Sequence, residues 1–159
     1  MATYKKKYVD TARQYSGPSG NASRMSFKME TTAAGVVVDS DATAALQIGD
    51  KVKLGVLPAG MTLMDSLGIV SNAFTALSTG ALGFEYVDGV DSTDVPQDAD
   101  YFNAALALNA LGRTRANNNA VTPVTLPKDA YLILTNAGAA MAEAGRLDFI
   151  VEGILTGRP

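Results

Sequence analysis

The sequence predicts an all-β protein, a jelly-roll or Greek-key β-sandwich of about eight or nine strands with an extended N-terminal arm. Short apolar segments recur about every 8–12 residues with turn residues between them, which is typical of sandwiches and barrels. Small and β-branched residues dominate the hydrophobic 47% of the 159 residues, and aromatic residues supply only 7%. This composition favours thin, closely packed sheets. We therefore expect an arm over residues 1–24 and a sandwich domain over residues 25–159.

Strands with a two-residue period open the predicted domain. Met25, Phe27 and Met29 alternate with polar residues, which is the pattern of a half-buried strand. Residues 51–56 alternate in the same way. They end at a turn, because Pro58 presets the backbone of the second turn position and a glycine follows two residues later. Further short strands are predicted over residues 34–38, 61–70, 73–77 and 81–87.

The second half of the domain is less regular. Residues 101–111 alternate at Leu106 and Leu108, but their Ala-rich start is also compatible with a helix, and we favour a strand. Residues 137–144 are rich in good helix formers, so they are predicted to contain a helical turn or more. Closing strands are predicted over residues 121–126, 130–135 and 147–156.

The chain contains neither histidine nor cysteine. It therefore has no Ser-His-Asp triad, no Cys-His pair, no zinc site built from these residues and no disulfide. Because histidine is the usual general acid or base near neutral pH, the sequence predicts a protein that is not an enzyme and needs no cofactor. No apolar run approaches the ~20 residues of a membrane helix, and the basic N-terminus lacks the apolar segment of a signal peptide. We expect a soluble protein with no membrane partner.

Charge is distributed unevenly, although the net charge is only −3. Residues 1–28 contain six bases and one acid, a net charge of +5, whereas residues 85–100 contain six acids and no base, a net charge of −6. A basic arm suits an acidic neighbour, and an acidic loop can receive such an arm, although each segment is also compatible with simple solvation. The residues predicted to contact partners are Tyr4, Lys5, Lys6, Lys7 and Tyr8 in the arm and Asp88, Asp91, Asp94, Asp98 and Asp100 in the loop.

Three other interpretations of these charged segments are weaker. The acidic loop suggests calcium binding, but the spacing in residues 88–94 differs from that of an EF-hand, which has acids at alternate positions, a glycine at the sixth and a glutamate at the twelfth. A glycosidase pair of carboxylates would need an aromatic sugar platform, and the chain has no Trp. The tyrosines among the bases of the arm suit nucleic-acid stacking, yet the chain is acidic overall, so no nucleic-acid partner is predicted.

The last predicted strand is apolar on both sides. Leu147, Phe149 and Val151 share one face, whereas Ile150 and Ile154 point to the other. A strand of this kind needs cover on both faces. A central position in the sandwich explains the pattern, and so does burial of the second face against a neighbouring subunit.

Residues 51–158, about two-thirds of the chain, resemble the decoration, or cement, proteins of tailed-bacteriophage capsids. The resemblance is carried by turn-and-strand patterns and by no chemical signature. The matching segments are KVKLGVLPAG at 51–60, GFEYVDG at 83–89, PQDADYF at 96–102, LPKDAYL at 126–132 and DFIVEG at 148–153. The arm over residues 1–24 lies outside the resemblance.

The resemblance implies a structural virion protein that binds the outer surface of a phage capsid and stabilises it by bridging subunits of the major capsid protein. It implies no catalytic residues. Its partners would be the major capsid protein and other copies of the chain, as a homodimer or homotrimer. The protein would be made in the host cytoplasm and reside in the virion. The same patterns also fit a head-fibre or tail module, or a carbohydrate- or calcium-binding β-sandwich.

Overall fold

The structure, a computed structural model, describes residues 1–5 and 22–155 of the chain. These residues form ten β-strands and no helix, so they include no helix long and apolar enough to cross a membrane. The strands are β1 (Thr3–Lys5), β2 (Ala22–Glu30), β3 (Lys51–Leu57), β4 (Met61–Asn72), β5 (Thr79–Tyr86), β6 (Asp98–Ala107), β7 (Gly112–Arg115), β8 (Val124–Thr125), β9 (Ala130–Ala137) and β10 (Arg146–Leu155). The all-β prediction is confirmed.

The strands form two sheets that pack face to face. The first sheet has the order β1-β3-β9-β5-β6, and the second has the order β2-β10-β4-β7, with β8 added beside β4. Among the described strands, only β1 and β3 pair in parallel. Each sheet turns one face to a common core, so its inward side chains are mainly apolar.

The strand pairing is that of a jelly roll. When β1 and β8 are left aside, the first of the eight remaining strands, β2, pairs with the last, β10. The next pairs, moving inwards along the chain, are β3 with β9, β4 with β7, and β5 with β6. A long antiparallel hairpin that is rolled into two sheets has this nested pairing. The predicted sandwich is therefore confirmed, with ten described strands in place of about eight or nine.

A run of aromatic side chains links the two sheets through the core. Phe84 of β5 contacts Tyr101 of β6 edge to face, with ring centroids 5.6 Å apart. Tyr101 contacts Phe102 at 5.0 Å, and Phe102 contacts Phe149 of β10, in the second sheet, at 5.8 Å. Edge-to-face pairs of this kind contribute about 0.5–1.5 kcal/mol each beyond the area that they bury. Four aromatic side chains thus lie where the two sheets meet.

The turn after β3 forms as its proline and glycine predict. Met61 donates its backbone N–H to the Pro58 carbonyl oxygen at 3.2 Å. Gly60 has a φ of 79°, a left-handed conformation that costs glycine little. Gly60 also donates its N–H to the Leu126 carbonyl oxygen at 2.8 Å. This turn carries the chain from the first sheet to the second.

Two predicted strands are wrong. Residues 73–77 form an irregular loop between β4 and β5, because Phe74 turns inward to the core while Leu77 adopts a positive φ of 67°. Residues 34–38 form no strand, and the pairing within this segment is an isolated bridge from Val37 to Thr31. Both segments have strand-like composition, but turns within them prevent pairing along their length.

The helical turn predicted in residues 137–144 is also wrong. The segment connects β9 to β10 as an irregular loop, in which Gly138 has a φ of 76°. The side-chain amide of Asn136 donates to the Ala139 carbonyl oxygen at 3.0 Å, so this loop is held by a side chain. Of the strand predicted over residues 121–126, only β8 forms, whereas the ambiguous segment 101–111 is a strand, as favoured, up to Ala107.

Candidate partner interface

The described part of the arm is an edge strand of the first sheet. β1 pairs in parallel with the first three residues of β3. Tyr4 is half-buried and packs against the main core, whereas Lys5 is exposed. The other arm candidates, Lys6, Lys7 and Tyr8, lie outside the described residues. The beginning of the arm therefore packs on its own domain.

Two carboxylates hold β1 at its two ends. Asp50 accepts the backbone N–H of Ala2 at 2.8 Å with Oδ1 and that of Gln47 at 2.9 Å with Oδ2. Asp41 accepts the backbone N–H of Lys5 at 2.7 Å, and its own N–H donates to the Lys5 carbonyl oxygen at 3.0 Å. The sequence analysis did not single out these aspartates, because nothing local marks them as partners of residues near the N-terminus.

Asp88 is the most firmly anchored acid of the loop between β5 and β6. Lys128 Nζ lies 3.0 Å from Oδ1 and 2.8 Å from Oδ2 of Asp88, and it donates to the Val90 carbonyl oxygen at 2.6 Å. The same ammonium group lies 4.6 Å from the centroid of the Tyr86 ring. The hydrogen bond from Lys128, followed by that from the Val90 N–H, lowers the pKa of Asp88.

Asp91 and Tyr86 organise the interior of the same loop. Asp91 Oδ1 accepts the backbone N–H of Ser92 at 2.8 Å and that of Gln97 at 2.7 Å. The Tyr86 hydroxyl donates to the Val95 carbonyl oxygen at 2.5 Å. Burial, and secondarily the Asp91 charge, raises the pKa of Tyr86. The acidic loop is therefore folded on itself and presents its acids on a defined surface.

Asp98 and Asp100 lie in β6 and not in the loop. They are two residues apart, so they share one face of the strand. Asp98 Oδ1 accepts the backbone N–H of Asp100 at 3.0 Å. A hydrogen bond with the Asp98 side chain, partial burial and the Asp98 charge together raise the pKa of Asp100. The remaining candidate, Asp94, is exposed at the loop surface.

The structure does not bring the described arm and the β6 acids together within one chain. β1 and β6 are opposite edges of the first sheet, with three strands between them. At a strand spacing of about 4.8 Å, the two edges lie about 19 Å apart. Tyr4 and Lys5 therefore lie at the opposite edge of the first sheet from Asp98 and Asp100.

The described residues contain no group of three or more acidic, histidine or cysteine side chains placed to hold a metal ion. A cleft of about 160 Å³ opens beside β4, lined by Met64, Tyr101 and Val121 among others. Sites for small molecules usually have roughly 300–1,000 Å³, so this cleft suits solvent or a single side chain.

The outer face of the second sheet carries an apolar strip that the sequence analysis found only in part. Ile150 pairs with Leu67 of β4, and the next outward residue of β4 is Ile69. All three side chains are half-buried, and no described strand packs over them. Leu67 and Ile69 were missed because a β-bulge at Met64, opposite Glu152, switches which residues of β4 face outward.

Ion pairs border this strip at both ends. Each ion-paired group has two bases and two acids and is neutral, whereas Arg113, which pairs with Ile69, adds a positive charge to the same face. The first group contains the pairs Arg24–Glu152 at 3.2 Å, Arg115–Glu152 at 3.9 Å and Arg115–Asp65. The second group contains the pairs Arg146–Glu30 at 3.0 Å, Arg146–Asp148 at 2.9 Å and Lys28–Glu30 at 2.9 Å. The outer face of the second sheet thus has a small apolar patch enclosed by charged side chains, and Asp148 lies directly beside Ile69 of this patch. A patch with a charged surround is a common layout of protein interfaces.

The fold is similar to that of chains in phage capsids. A chain in the capsid of Ralstonia phage GP4 matches with a TM-score of 0.68 at 15% sequence identity, over 98% of this chain and 99% of that chain. This chain has the fold of a phage capsid chain. A chain in the capsid asymmetric unit of cyanophage Pam1 matches with a TM-score of 0.57 at 14% identity, over 91% of this chain and 94% of that chain. No family model and no curated protein matches the sequence.

Proposed function

We propose that this chain is a structural virion protein that binds the outer surface of a phage capsid and stabilises the capsid by bridging subunits of the major capsid protein. The proposal is carried by the similarity over 98% of this chain and 99% of a chain in the Ralstonia phage capsid. Because the match spans both chains almost completely, it supports a role for the whole of this chain, and not of a common submodule, in a capsid. The role needs contact surfaces and no catalytic group.

The acidic loop is the proposed contact with a basic segment of the partner. Asp91 and Asp94 are exposed at its surface, and Lys128 neutralises only the neighbouring Asp88. The loop is already folded around the Tyr86 hydroxyl, so its docking would cost little conformational entropy. Charge complementarity at such a site chiefly raises the association rate and selects the partner.

The arm is the proposed bridge to a neighbouring subunit. Asp41 and Asp50 anchor its first residues to the edge of β3. We propose that Lys6, Lys7 and Tyr8, which follow this anchor, contact the adjacent capsid or decoration subunit. Many copies on one shell would then hold it together even if each contact is weak, because linked contacts act at high effective concentration.

The test uses shells of the phage that encodes the chain, prepared without it, together with the purified full-length chain. We expect the chain to co-sediment with the shells and to raise their temperature of disruption. Asp94→Asn should weaken this binding, because it removes one charge from the acidic loop. Asp39→Asn is the matched control, since it removes one exposed charge from the loop at the opposite end of the sandwich.

Failure to co-sediment, or shells that are equally stable with and without the chain, would overturn the proposed function. If the chain binds and both substitutions weaken binding equally, the capsid role stands and the acidic loop is not its contact. Cryo-electron microscopy of decorated shells would then locate the face that is used.

A further inference from the structure

We propose that the outer face of the second sheet is a self-association surface, on which a second copy of the chain packs face to face about a two-fold axis. The axis lies in the plane of the interface and runs across the strands. It crosses the row in which Phe27, Phe149, Gly68 and Thr114 are paired. The inference concerns the isolated chain, so it stands or falls independently of capsid binding.

The apolar strip provides the driving force. Leu67, Ile69 and Ile150 point away from the core and are only half-buried. Ile154 lies on the same side of β10 and is 37% exposed. A contiguous apolar strip inside a polar rim marks an interaction surface more often than isolated exposed residues do.

The register makes this strip complementary to itself. Rotation about the proposed axis places each outward residue of one copy opposite a residue of the same strand in the other copy. The two residues are equally far from the axis, on opposite sides of it. Leu67 of one copy then faces Ile69 of the other, whereas Asp148 faces Ile150 and keeps its ion pair with Arg146 inside the interface. An axis that runs across the strands leaves the strands of the two copies antiparallel and aligned, which is the aligned class of sheet packing.

The charged rim is complementary under the same rotation. Arg24 of one copy comes to lie over Glu30 of the other, because both are three residues from Phe27. Arg146 likewise comes to lie over Glu152, since both are three residues from Phe149. The two neutral ion-pair groups would then merge into networks across the interface. The same rotation places Arg113 of one copy opposite Arg115 of the other, which is a repulsive contact between like charges. This contact lies on β7, at the edge of the sheet, where 60% of the Arg115 side chain is exposed.

The area is sufficient for a dimer of moderate affinity. Three long strands and the short β7, spaced about 4.8 Å apart with about 3.3 Å per residue, present roughly 500 Å² on each copy. The total of roughly 1,000 Å² is at the lower limit for a specific interface. We therefore expect a dissociation constant in the micromolar range and no other symmetry, because a face that packs on itself is isologous.

The first experiment is sedimentation equilibrium of the full chain over a concentration series up to about 100 μM, well above the expected dissociation constant. A monomer–dimer equilibrium supports the proposal. A monomer throughout, or a trimer, would overturn it.

Two matched variants then assign the surface. Leu67→Lys should raise the dissociation constant about tenfold or more, because it puts a charge at the centre of the strip. Ile48→Lys, in the exposed turn before β3 of the first sheet, should leave it unchanged. Circular dichroism verifies that both variants are folded. A dimer that is insensitive to the first variant, or equally sensitive to both, excludes this face.

A charge exchange tests the axis itself. Arg146→Glu and Glu152→Arg should each weaken the dimer, and the double variant should recover a large part of the loss, since residues 146 and 152 face each other in the proposed arrangement. Additive losses in the double variant would overturn the axis. The comparison uses dissociation constants, so a change in monomer stability alone cannot produce the recovery.

Discussion

Asp50 Oδ1 accepts the backbone N–H of Ala2 at 2.8 Å, which joins two residues that are 48 positions apart in the chain. The Asp50 side chain is buried, and its second oxygen accepts the N–H of Gln47. One carboxylate therefore holds both the start of β1 and the turn before β3. Satisfied buried acceptors of this kind rigidify the segments that they join.

Asp50→Ala is expected to release β1 from the first sheet. The change leaves two backbone N–H groups without their acceptor, and we expect the free energy of unfolding to fall by about 2 kcal/mol. Hydrogen exchange at Tyr4 and Lys5 should rise more than exchange in β9. Asp41→Ala is the comparison, because Asp41 is exposed and, within the described part of the chain, its side chain accepts the Lys5 N–H at the other end of β1. Unchanged protection of Tyr4 in Asp50→Ala would show that the carboxylate does not hold the strand.

Lys128→Met is expected to loosen the acidic loop. It removes the hydrogen bonds to Asp88 and Val90 and the contact with the Tyr86 ring, while keeping a side chain of similar length. Proteolysis and hydrogen exchange within residues 87–97 should accelerate several-fold. Lys28→Met, in β2 of the second sheet and outside the acidic loop, serves as the control. Because Lys128 lowers the pKa of Asp88, the contribution of this contact should be present above the ordinary Asp pKa and disappear as the pH falls through the lowered value.

Asp100→Asn is expected to stabilise the protein at neutral pH. The pKa of Asp100 is raised by the hydrogen bond with Asp98, by partial burial and by the Asp98 charge, so ionisation of Asp100 costs stability as the pH rises from its ordinary value of 3.8 through the raised value. Since the site is largely solvated, the gain should be a few tenths of a kcal/mol. Urea unfolding at several pH values measures it. A gain of the same size in Asp94→Asn, or a gain that persists below the ordinary pKa, would contradict this explanation.

Gly83→Ala is expected to be strongly destabilising. A Cβ atom at Gly83 would lie 2.0 Å from the Asp98 carbonyl oxygen and 2.7 Å from the Asp100 nitrogen, both backbone atoms of β6. The strands would have to separate, at a cost of about 1–3 kcal/mol or more. Gly112→Ala is the control, because nothing lies within 4 Å of its Cβ position, and its effect should stay within about 0.5 kcal/mol. Equal unfolding midpoints for the two variants would refute the close approach of β5 and β6.

The elements that the sequence predicted well depend on local chemistry. The alternation in residues 51–56 and the turn at Pro58 each require only neighbouring residues, and both are present in the structure. The segments that were predicted wrongly depend on distant contacts. Phe74 leaves the sheet to enter the core, and the Asn136 side chain supports a loop where alanines suggested a helical turn. Local preference is overridden in such places by burial and by side-chain hydrogen bonds.

The candidate interface was predictable only in part. The charges of the acidic loop are visible in the sequence, but its internal hydrogen bonds, and the position of Asp98 and Asp100 in β6, are not. The two-sided pattern at Ile150 pointed to an outward apolar surface. The bulge at Met64 concealed the other half of that surface, because one inserted residue reverses the inward–outward order. The predicted contact residues in the arm and the loop stay a prediction.

The sequence by itself determined that this protein is a β-sandwich with no histidine or cysteine chemistry, because strand period, turn residues and composition are properties of the chain alone. The tertiary structure decided which strands pair, where the arm begins on the sheet, and which apolar side chains remain outside the core. These outcomes depend on contacts between residues that are far apart in the chain. Asp50 and Ala2, or Leu67 and Ile150, become neighbours only when the long hairpin rolls into two sheets.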